Sequence, residues 1–272
     1  MGEDVTTGRN EGATCARLDL PWARRPPARV AREIILRGVF GGLLAYYTRR
    51  RTTGDQRLAE AAAPVLFVAN HSSHMDTPLI LCALPARWRR RTAVAAAADY
   101  FYGDRRLAAL VSLAFNTVPV RRKGGGSGNL RHVEALLTDR WSLLLYPQGT
   151  RSRGDDTERL RSGAAVLAAL HQLAIVPIRV EGTHAAMPPG QSWPRRRVWQ
   201  RRHPVEVTFG EAIRPRSPHE RDEVMERLQA FFAGREPGPS RAPSPAIAPD
   251  RAFPYAPAMP SPAALDERRP RL

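Results

Sequence analysis

The stretch that decides the fold is Pro64-Val-Leu-Phe-Val-Ala69, which runs directly into Asn70-His-Ser-Ser-His-Met-Asp76. Its first half is continuously apolar, and so short a run predicts a strand buried on both faces, as in a parallel sheet covered by helices. Its second half is polar, and polar residues at the carboxyl end of a buried strand lie where α/β folds place their sites. We therefore expect an α/β domain with a functional site that begins at Asn70.

Strands and helices alternate after this stretch. Short apolar runs predict strands at 117–121, 141–146, 174–180 and 205–209, while 92–98 is either a strand or the start of a helix. Helical periodicity predicts helices at 77–84, 104–115, 129–139, 162–172 and after 217. Pro177 lies inside one strand and has no N–H, so it indicates a sheet edge or a bulge. The alternation predicts a mixed, largely parallel central sheet flanked by helices.

The two ends of the chain differ from its middle. Residues 1–28 are polar and interrupted by Arg and Pro, which is typical of a flexible arm. From residue 237 onward 10 of 36 residues are proline, which leaves too few N–H donors for a packed element. We expect a disordered tail at 237–272 and a single domain at 29–236.

Residues 31–50 predict the first helix, with an apolar face that includes aromatic side chains and is flanked by arginines. Aromatic residues beside arginines favour a helix that lies in a membrane interface, and packing on the domain core is the alternative. No uncharged apolar stretch reaches the roughly 18 residues that a spanning helix needs, and no secretory signal is visible.

The charge of the chain is strongly positive. It has 42 basic and 26 acidic residues, a formal charge of +16, which indicates a polyanionic partner: nucleic acid, an anionic bilayer or phosphorylated substrates. The segments 87–91 and 195–202 mix Trp with Arg and suit either an anionic membrane or nucleic acid. The two cysteines, Cys15 and Cys82, exclude a disulfide framework and a Cys-rich zinc site.

The polar loop after the first strand carries a His-x4-Asp spacing. A carboxylate at Asp76 can orient the ring of His71 and stabilise its imidazolium, which leaves the other nitrogen as a general base. Two alternatives stay open: Asp76 caps the following helix, or His71, His74 and Asp76 are metal ligands. The metal alternative lacks a further convincing ligand in the sequence.

Two further strand ends carry candidate binding residues. Tyr146-Pro-Gln-Gly-Thr-Arg-Ser152 follows a buried run; Gly149 permits close backbone approach to a ligand, and Arg151 offers a fork for a phosphate. Val118-Pro-Val-Arg121 is another strand that ends in an arginine. Either segment could also be a basic surface turn.

Four blocks in one order resemble the glycerolipid acyltransferase family, of the 1-acylglycerol-3-phosphate acyltransferase (PlsC-like) type. They are Asn70-His71-x4-Asp76, Val118–Arg121, Tyr146–Ser152 and Val176–Ile178. The chain departs from the family pattern in two blocks: Gln148 replaces the usual Glu of the third, and the second lacks the usual Gly-x-x-Phe. These departures concern the identity of the acceptor.

The resemblance implies transfer of a fatty acyl group from acyl-CoA or acyl-carrier protein to the hydroxyl of a lysophospholipid, foremost 1-acylglycerol-3-phosphate, in phospholipid biosynthesis. It implies that His71 is the base, that Asp76 orients it, and that no metal, bound cofactor or acyl-enzyme on Ser72 or Ser73 is needed. It implies a peripheral protein on the cytoplasmic face of the cell membrane. It assigns substrate binding to Asn70, Arg121, Gln148, Gly149, Thr150, Arg151 and Pro177.

Two alternative functions remain at this point. One is an acyltransferase of the same family that acts on another lysophospholipid or an alcohol. The other is a non-catalytic basic module that binds membranes or nucleic acid. Because the sequence has no nucleic-acid fold signature, we do not expect a nucleic-acid partner.

Overall fold

The computed structural model describes residues 15–121, 131–149, 160–188, 190–191, 193–196 and 199–235. A π-helical segment, Ile35–Phe40, joins the first two helices. The helices are α1 (Pro26–Ile34), α2 (Gly41–Tyr47), α3 (Asp76–Ala83), α4 (Ala86–Arg89), α5 (Ala98–Phe101), α6 (Arg105–Phe115), α7 (Arg131–Thr138), α8 (Gly163–Leu170), α9 (Thr183–Ala186) and α10 (Arg221–Phe232).

Seven strands in the described residues form one sheet in the order β1-β7-β6-β2-β5-β3-β4. Every neighbouring pair is parallel except β6 and β7, which are antiparallel. This confirms the predicted mixed, largely parallel sheet. The strands are β1 (Thr48–Thr53), β2 (Val65–Ala69), β3 (Thr92–Ala97), β4 (Thr117–Val120), β5 (Ser142–Leu145), β6 (Ala174–Glu181) and β7 (His203–Phe209).

Strand β2 lies at the centre of the sheet and is buried along its whole length. Because side chains alternate between the two faces, Phe67 packs with Leu79 of α3, while Leu66 packs in the opposite core with Leu136 of α7 and Leu228 of α10. Helices therefore cover both faces, as the unbroken apolar run predicts. Burying a side chain of this size stabilises the fold by roughly 1.5–3 kcal/mol.

The N-terminal region differs from its prediction. The expected helix at 31–50 begins earlier, at Pro26, is interrupted by the π segment and ends at Tyr47, so that Arg49 and Arg50 lie in strand β1. Two contacts end the helix: Thr48 closes the last turn through a bond from Oγ1 to Leu44 O (2.6 Å), and the residues from Thr48 onward pair with β7, which is distant in sequence. Within the predicted flexible arm, residues 21–28 form a 3₁₀ turn and the first turn of α1, with Ala23 fully buried. The predicted tail, 237–272, lies outside the described residues.

Pro177 marks a bulge and not an edge. Strand β6 is internal, and its pairing across to the β7 side runs from Ile178 opposite Phe209 to a bridge of Ile175 with Ile213. From Ile178 to Ile175 the chain takes three residue steps, while from Phe209 to Ile213 it takes four, so the second segment has one extra residue, which is a β-bulge. Pro177, which has no N–H to donate, lies at this bulge. Gly210 N still donates to Pro177 O (2.8 Å).

The strand directions define two edges of the sheet. The carboxyl ends of β2, β5 and β6 share one edge, and β1 and β7 begin at that edge because β7 is antiparallel to β6. We call it the site edge and the other the opposite edge. None of the helices in the described part of the chain is long and apolar enough to cross a membrane.

Candidate active site

The polar loop leaves β2 at the site edge, where Asn70 fixes its start. The Asn70 side chain donates from Nδ2 to Val180 O (2.9 Å) and accepts at Oδ1 from Val180 N (2.7 Å). The Asn70 side chain thus bonds to the backbone of β6 just beyond the last paired residue of β2. Asn70, predicted to bind substrate, instead has both of its polar atoms engaged in holding the loop.

The carboxylate of Asp76 is fully buried and is the centre of the loop. Its Oδ2 lies 2.9 Å from His71 Nδ1 and accepts from the backbone N–H groups of Ser72 (2.7 Å) and Ser73 (2.8 Å). Its Oδ1 accepts from the Thr183 hydroxyl at 2.6 Å. A buried carboxylate is tolerated only when it is paired and hydrogen-bonded, and these four bonds meet that requirement.

Asp76 does not cap the helix that it begins. Helix α3 has Met75 as its N-cap residue, without a side-chain hydrogen bond to the helix. The amides bonded to Asp76 belong to the preceding loop. The carboxylate is therefore not the N-cap group of α3; it shapes the loop around His71, and its bond from Ser73 N–H also fixes the approach to the helix.

The ring of His71 is oriented from two sides. Because an ionised carboxylate only accepts, its bond with Asp76 assigns the proton to Nδ1 and leaves a lone pair on Nε2. The ring stacks on Tyr146, with centroids 4.2 Å apart and planes at 25°. Nε2 takes no hydrogen bond from any residue in the described ranges, and 17% of the side chain is exposed. This arrangement can accept a proton from a bound hydroxyl group.

Tyr146 packs against one face of the His71 ring. Burial, with a smaller contribution from the charge of Asp76, raises the pKa of the Tyr146 phenol, so the hydroxyl keeps its proton. The hydroxyl oxygen lies 2.8 Å from Thr77 Oγ1, on the helix that Asp76 begins. The stack is therefore anchored to α3 as well as to β5.

Gln148 directly contacts the loop that carries His71. Its Oε1 accepts from the backbone N–H of His71 at 2.7 Å. The acceptor that a Glu would offer at this position is thus present in the amide, while the amide nitrogen adds donors without a charge. Gln148 thus lies beside His71, and its predicted role in substrate binding stays a prediction.

The remaining residues predicted to bind substrate differ in their distance from the loop, and two of them lie outside the described residues. Gly149 has φ +71°, a left-handed conformation that favours glycine, and a Cβ there would meet Arg161 Nε at 3.0 Å. Thr150 and Arg151 lie outside the described residues. Arg121 follows β4 at the site edge, three strand spacings or about 14 Å from β2. Pro177 lies three residues before Val180, about 10 Å along β6, and its ring is next to Gly210.

The metal alternative finds no support in the loop. The ring of His74 stacks on Tyr100, with centroids 5.9 Å apart. Across the ranges that the structure describes, no group of three or more His, Cys, Asp and Glu side chains could hold a metal ion.

Sequence reasoning missed the roles of Thr183 and Tyr146. Thr183 follows β6, which is the neighbour of β2 in the sheet. A polar residue just after a strand that ends at the site edge is the sequence signal that could have identified it. Its hydroxyl also lies 3.0 Å from Ser72 Oγ. Ser73 Oγ is fully buried and donates to Met187 O (2.8 Å). Both serine hydroxyls are therefore occupied in the loop, which argues against either as a nucleophile.

Comparisons with known proteins bear on the family and on the fold. Residues 49–181 match the family model described as Acyltransferase. The fold is similar to the crystal structure of the 1-acyl-sn-glycerophosphate (LPA) acyltransferase, PlsC, from Thermotoga maritima, with a TM-score of 0.52 and 20% sequence identity. The similarity covers 85% of this chain and 92% of that chain. No curated protein matches the sequence.

Proposed function

The chain belongs to the acyltransferase family, and we propose that it moves a fatty acyl group from acyl-CoA or acyl-carrier protein to the hydroxyl of 1-acylglycerol-3-phosphate. The observation that carries this proposal is the pair of His71 and buried Asp76, whose geometry leaves Nε2 of the histidine ready to take a proton. A nucleophilic side chain is not required, because the acceptor hydroxyl itself attacks.

The reaction then proceeds in one displacement at the thioester. His71 Nε2 takes the proton of the acceptor hydroxyl while the oxygen bonds to the carbonyl carbon. The C–S bond breaks, and the imidazolium returns the proton to the departing thiolate. Asp76 stabilises the positive charge that develops on the ring, and a general base of this kind contributes about 10²–10⁴-fold in rate.

The phosphate of the acceptor is the proposed ligand of the arginines. Arg121 lies at the site edge, and Arg151 follows Gly149 in the sequence of the third block. A guanidinium can bind a phosphate through two parallel N–H bonds. Gln148, with its oxygen engaged by His71, offers only donors to the substrate, which suits an anionic headgroup. Thr150 and the backbone at Gly149 would complete this pocket.

The place of action that we propose is the cytoplasmic face of the cell membrane, with peripheral attachment. Both the acceptor and the product are lipids, and the exposed apolar residues Val30, Ile34 and Val39 lie along α1 and the segment after it. The function requires no bound cofactor and no nucleic acid. It would supply diacylated phospholipid precursors.

A purified-enzyme assay tests the proposal. Labelled acyl-CoA or acyl-carrier protein is offered with 1-acylglycerol-3-phosphate, other lysophospholipids and simple alcohols. We expect transfer to the phosphorylated acceptor, its loss in His71→Ala, and unchanged turnover in His171→Ala, whose ring lies at the surface beside Glu134. Transfer only to another acceptor would establish the alternative within the family. No transfer to any acceptor, or full turnover in His71→Ala, would overturn the proposal.

A further inference from the structure

Two exposed tryptophans lie between α9 and β7. Trp193 is 58% exposed and Trp199 is 82% exposed, and Tyr46, at the end of α2, is 49% exposed. Large apolar rings in water are costly and, grouped with arginines, mark interaction sites. We name the residues Tyr46, Trp193, Arg195, Arg196, Trp199 and Arg202 the tryptophan surface.

The tryptophan surface is held in place by contacts with α2. Trp193 Nε1 donates to Tyr47 Oη at 3.0 Å. Arg196 donates to Tyr46 O (2.6 Å) and its guanidinium lies 4.9 Å from the centroid of the Tyr46 ring. Trp193 and Arg196 are therefore held against α2.

The surface lies at the same edge of the sheet as His71. Arg195 N donates to Ala186 O (3.1 Å), at the end of the short helix α9. Helix α9 begins at Thr183, which donates to Asp76, and Met187 just after it accepts from Ser73. Helix α9 therefore connects the two regions: the backbone of Arg195 bonds to its end, and the residues on either side of Ala186 bond to the loop that carries His71.

The charged residues around the tryptophans are all positive. The sequence from Gly182 to Val205 has no Asp or Glu and carries five arginines, all between 195 and 202. Of these, Arg195, Arg201 and Arg202 are exposed in the structure. Tryptophan at a headgroup boundary and arginines near a negative surface are the pairing that an anionic leaflet attracts.

We infer that the tryptophan surface docks the enzyme on an anionic phospholipid bilayer, with the site edge turned to the membrane. The inference rests on the proposed function, because a lipid acceptor must enter at that edge. A stacking site for single-stranded nucleic acid would use the same residue types. The membrane is favoured because the surface borders the very loop that would receive a lipid.

The second basic and aromatic segment, 87–91, lies apart from the tryptophan surface. Trp88 is 3% exposed, and Arg89 is 8% exposed and paired with Glu33. Arg87 donates to Leu58 O. The segment precedes β3 at the opposite edge, and its Trp88 and Arg89 are buried, so it is not part of the tryptophan surface. Its Arg90 and Arg91 are exposed, and membrane docking by 87–91 stays a prediction.

Vesicle co-sedimentation of the full chain tests the inference. The probes are vesicles of phosphatidylcholine alone and of equal parts phosphatidylcholine and phosphatidylglycerol. With about 1 kcal/mol lost for each basic residue, Arg195→Gln/Arg202→Gln should bind the anionic vesicles roughly thirtyfold more weakly. Trp199→Ala should weaken binding to the same vesicles. The matched control, Leu170→Ala/Arg214→Gln, changes an exposed apolar residue and an exposed arginine at the opposite edge and should bind normally.

Two outcomes would overturn the docking surface. One is equal binding by the wild type, the surface variants and the control. The other is a gel shift with single-stranded DNA that the surface variants abolish while their vesicle binding is unchanged.

Activity measurements separate this inference from the proposed function. A short-chain acceptor that stays monomeric in water is compared with a long-chain acceptor embedded in anionic vesicles. We expect the surface variants to turn over the monomeric acceptor normally and the embedded one more slowly. Equal loss on both would overturn the inference. A wild type that binds vesicles but transfers to neither acceptor would overturn the proposed function and leave the docking surface supported.

Discussion

Replacing Asp76 by Asn separates the charge of this side chain from its shape. The Asn oxygen can take the place of Oδ2, where it still accepts from His71 Nδ1 and from the amides of Ser72 and Ser73. The Asn nitrogen then faces Thr183, whose hydroxyl can accept and can donate to Ser72 Oγ instead. Asp76→Asn therefore preserves the loop and removes the negative charge.

The expected loss follows from Coulomb's law. A unit charge on the imidazolium and one on the carboxylate, with charge centres about 4 Å apart, attract by about 4 kcal/mol at an effective dielectric constant near 20. That stabilisation is absent while His71 is neutral and present when it has taken the proton. We therefore expect kcat to fall about 10³-fold in Asp76→Asn.

Single-turnover rates with saturating acyl donor and acceptor measure this effect. Thermal unfolding and circular dichroism of Asp76→Asn should match the wild type, and the acceptor KM should stay within a few-fold because binding groups are untouched. A folded Asp76→Asn enzyme with kcat within threefold of the wild type would refute the electrostatic role. Equal residual rates in Asp76→Asn and His71→Ala would show that the base is lost entirely without the charge.

Substitutions at three further residues test two contacts of the loop and one ion pair elsewhere in the fold. Thr183→Val removes the donor to Asp76 and should lower kcat about tenfold or more, whereas Thr183→Ser should restore it; equal kcat values in the two variants would contradict the positioning role. Gln148→Leu should lower kcat by a similar factor, while Gln148→Glu keeps kcat and raises KM for phosphorylated acceptors only, as steady-state kinetics can show. Glu33→Gln should destabilise the fold by about 2–3 kcal/mol at pH 7 in urea unfolding, because buried Arg89 loses its partner. The bond from Arg89 lowers the pKa of Glu33, so the wild type should lose this stability as the pH falls below the ordinary glutamate range, and Glu33→Gln should lack that loss.

Much of the fold follows from the spacing of apolar residues. The unbroken run 65–69 predicts the central strand because a strand buried on both faces has no polar alternation, and the structure confirms it. The family that the four blocks resemble is also confirmed. The end of the N-terminal helix could not be predicted in this way. Thr48 and the arginines after it form a strand only because they pair with β7, which is distant in sequence.

The candidate site was predictable to the extent that it is local. His71 and Asp76 are five residues apart, and their contact is a property of one loop. Thr183 and Tyr146 lie on other strands, so their contacts with the loop depend on which strands are neighbours in the sheet. Sequence patterns predict strands better than strand order, and these two residues were missed for that reason. The catalytic and binding roles themselves stay predictions until the variants are measured.

The geometry explains how Gln148 can stand where the family has Glu. The oxygen at this position accepts from the backbone N–H of His71, and an amide oxygen does so as well as a carboxylate. Holding the loop therefore does not need the charge. The two side chains differ in the remaining atom of the head group: the amide of Gln148 carries N–H donors, where a Glu would bring negative charge near a bound phosphate. Gln148 should thus favour anionic acceptors, and its replacement by Glu should matter for them and not for a neutral alcohol.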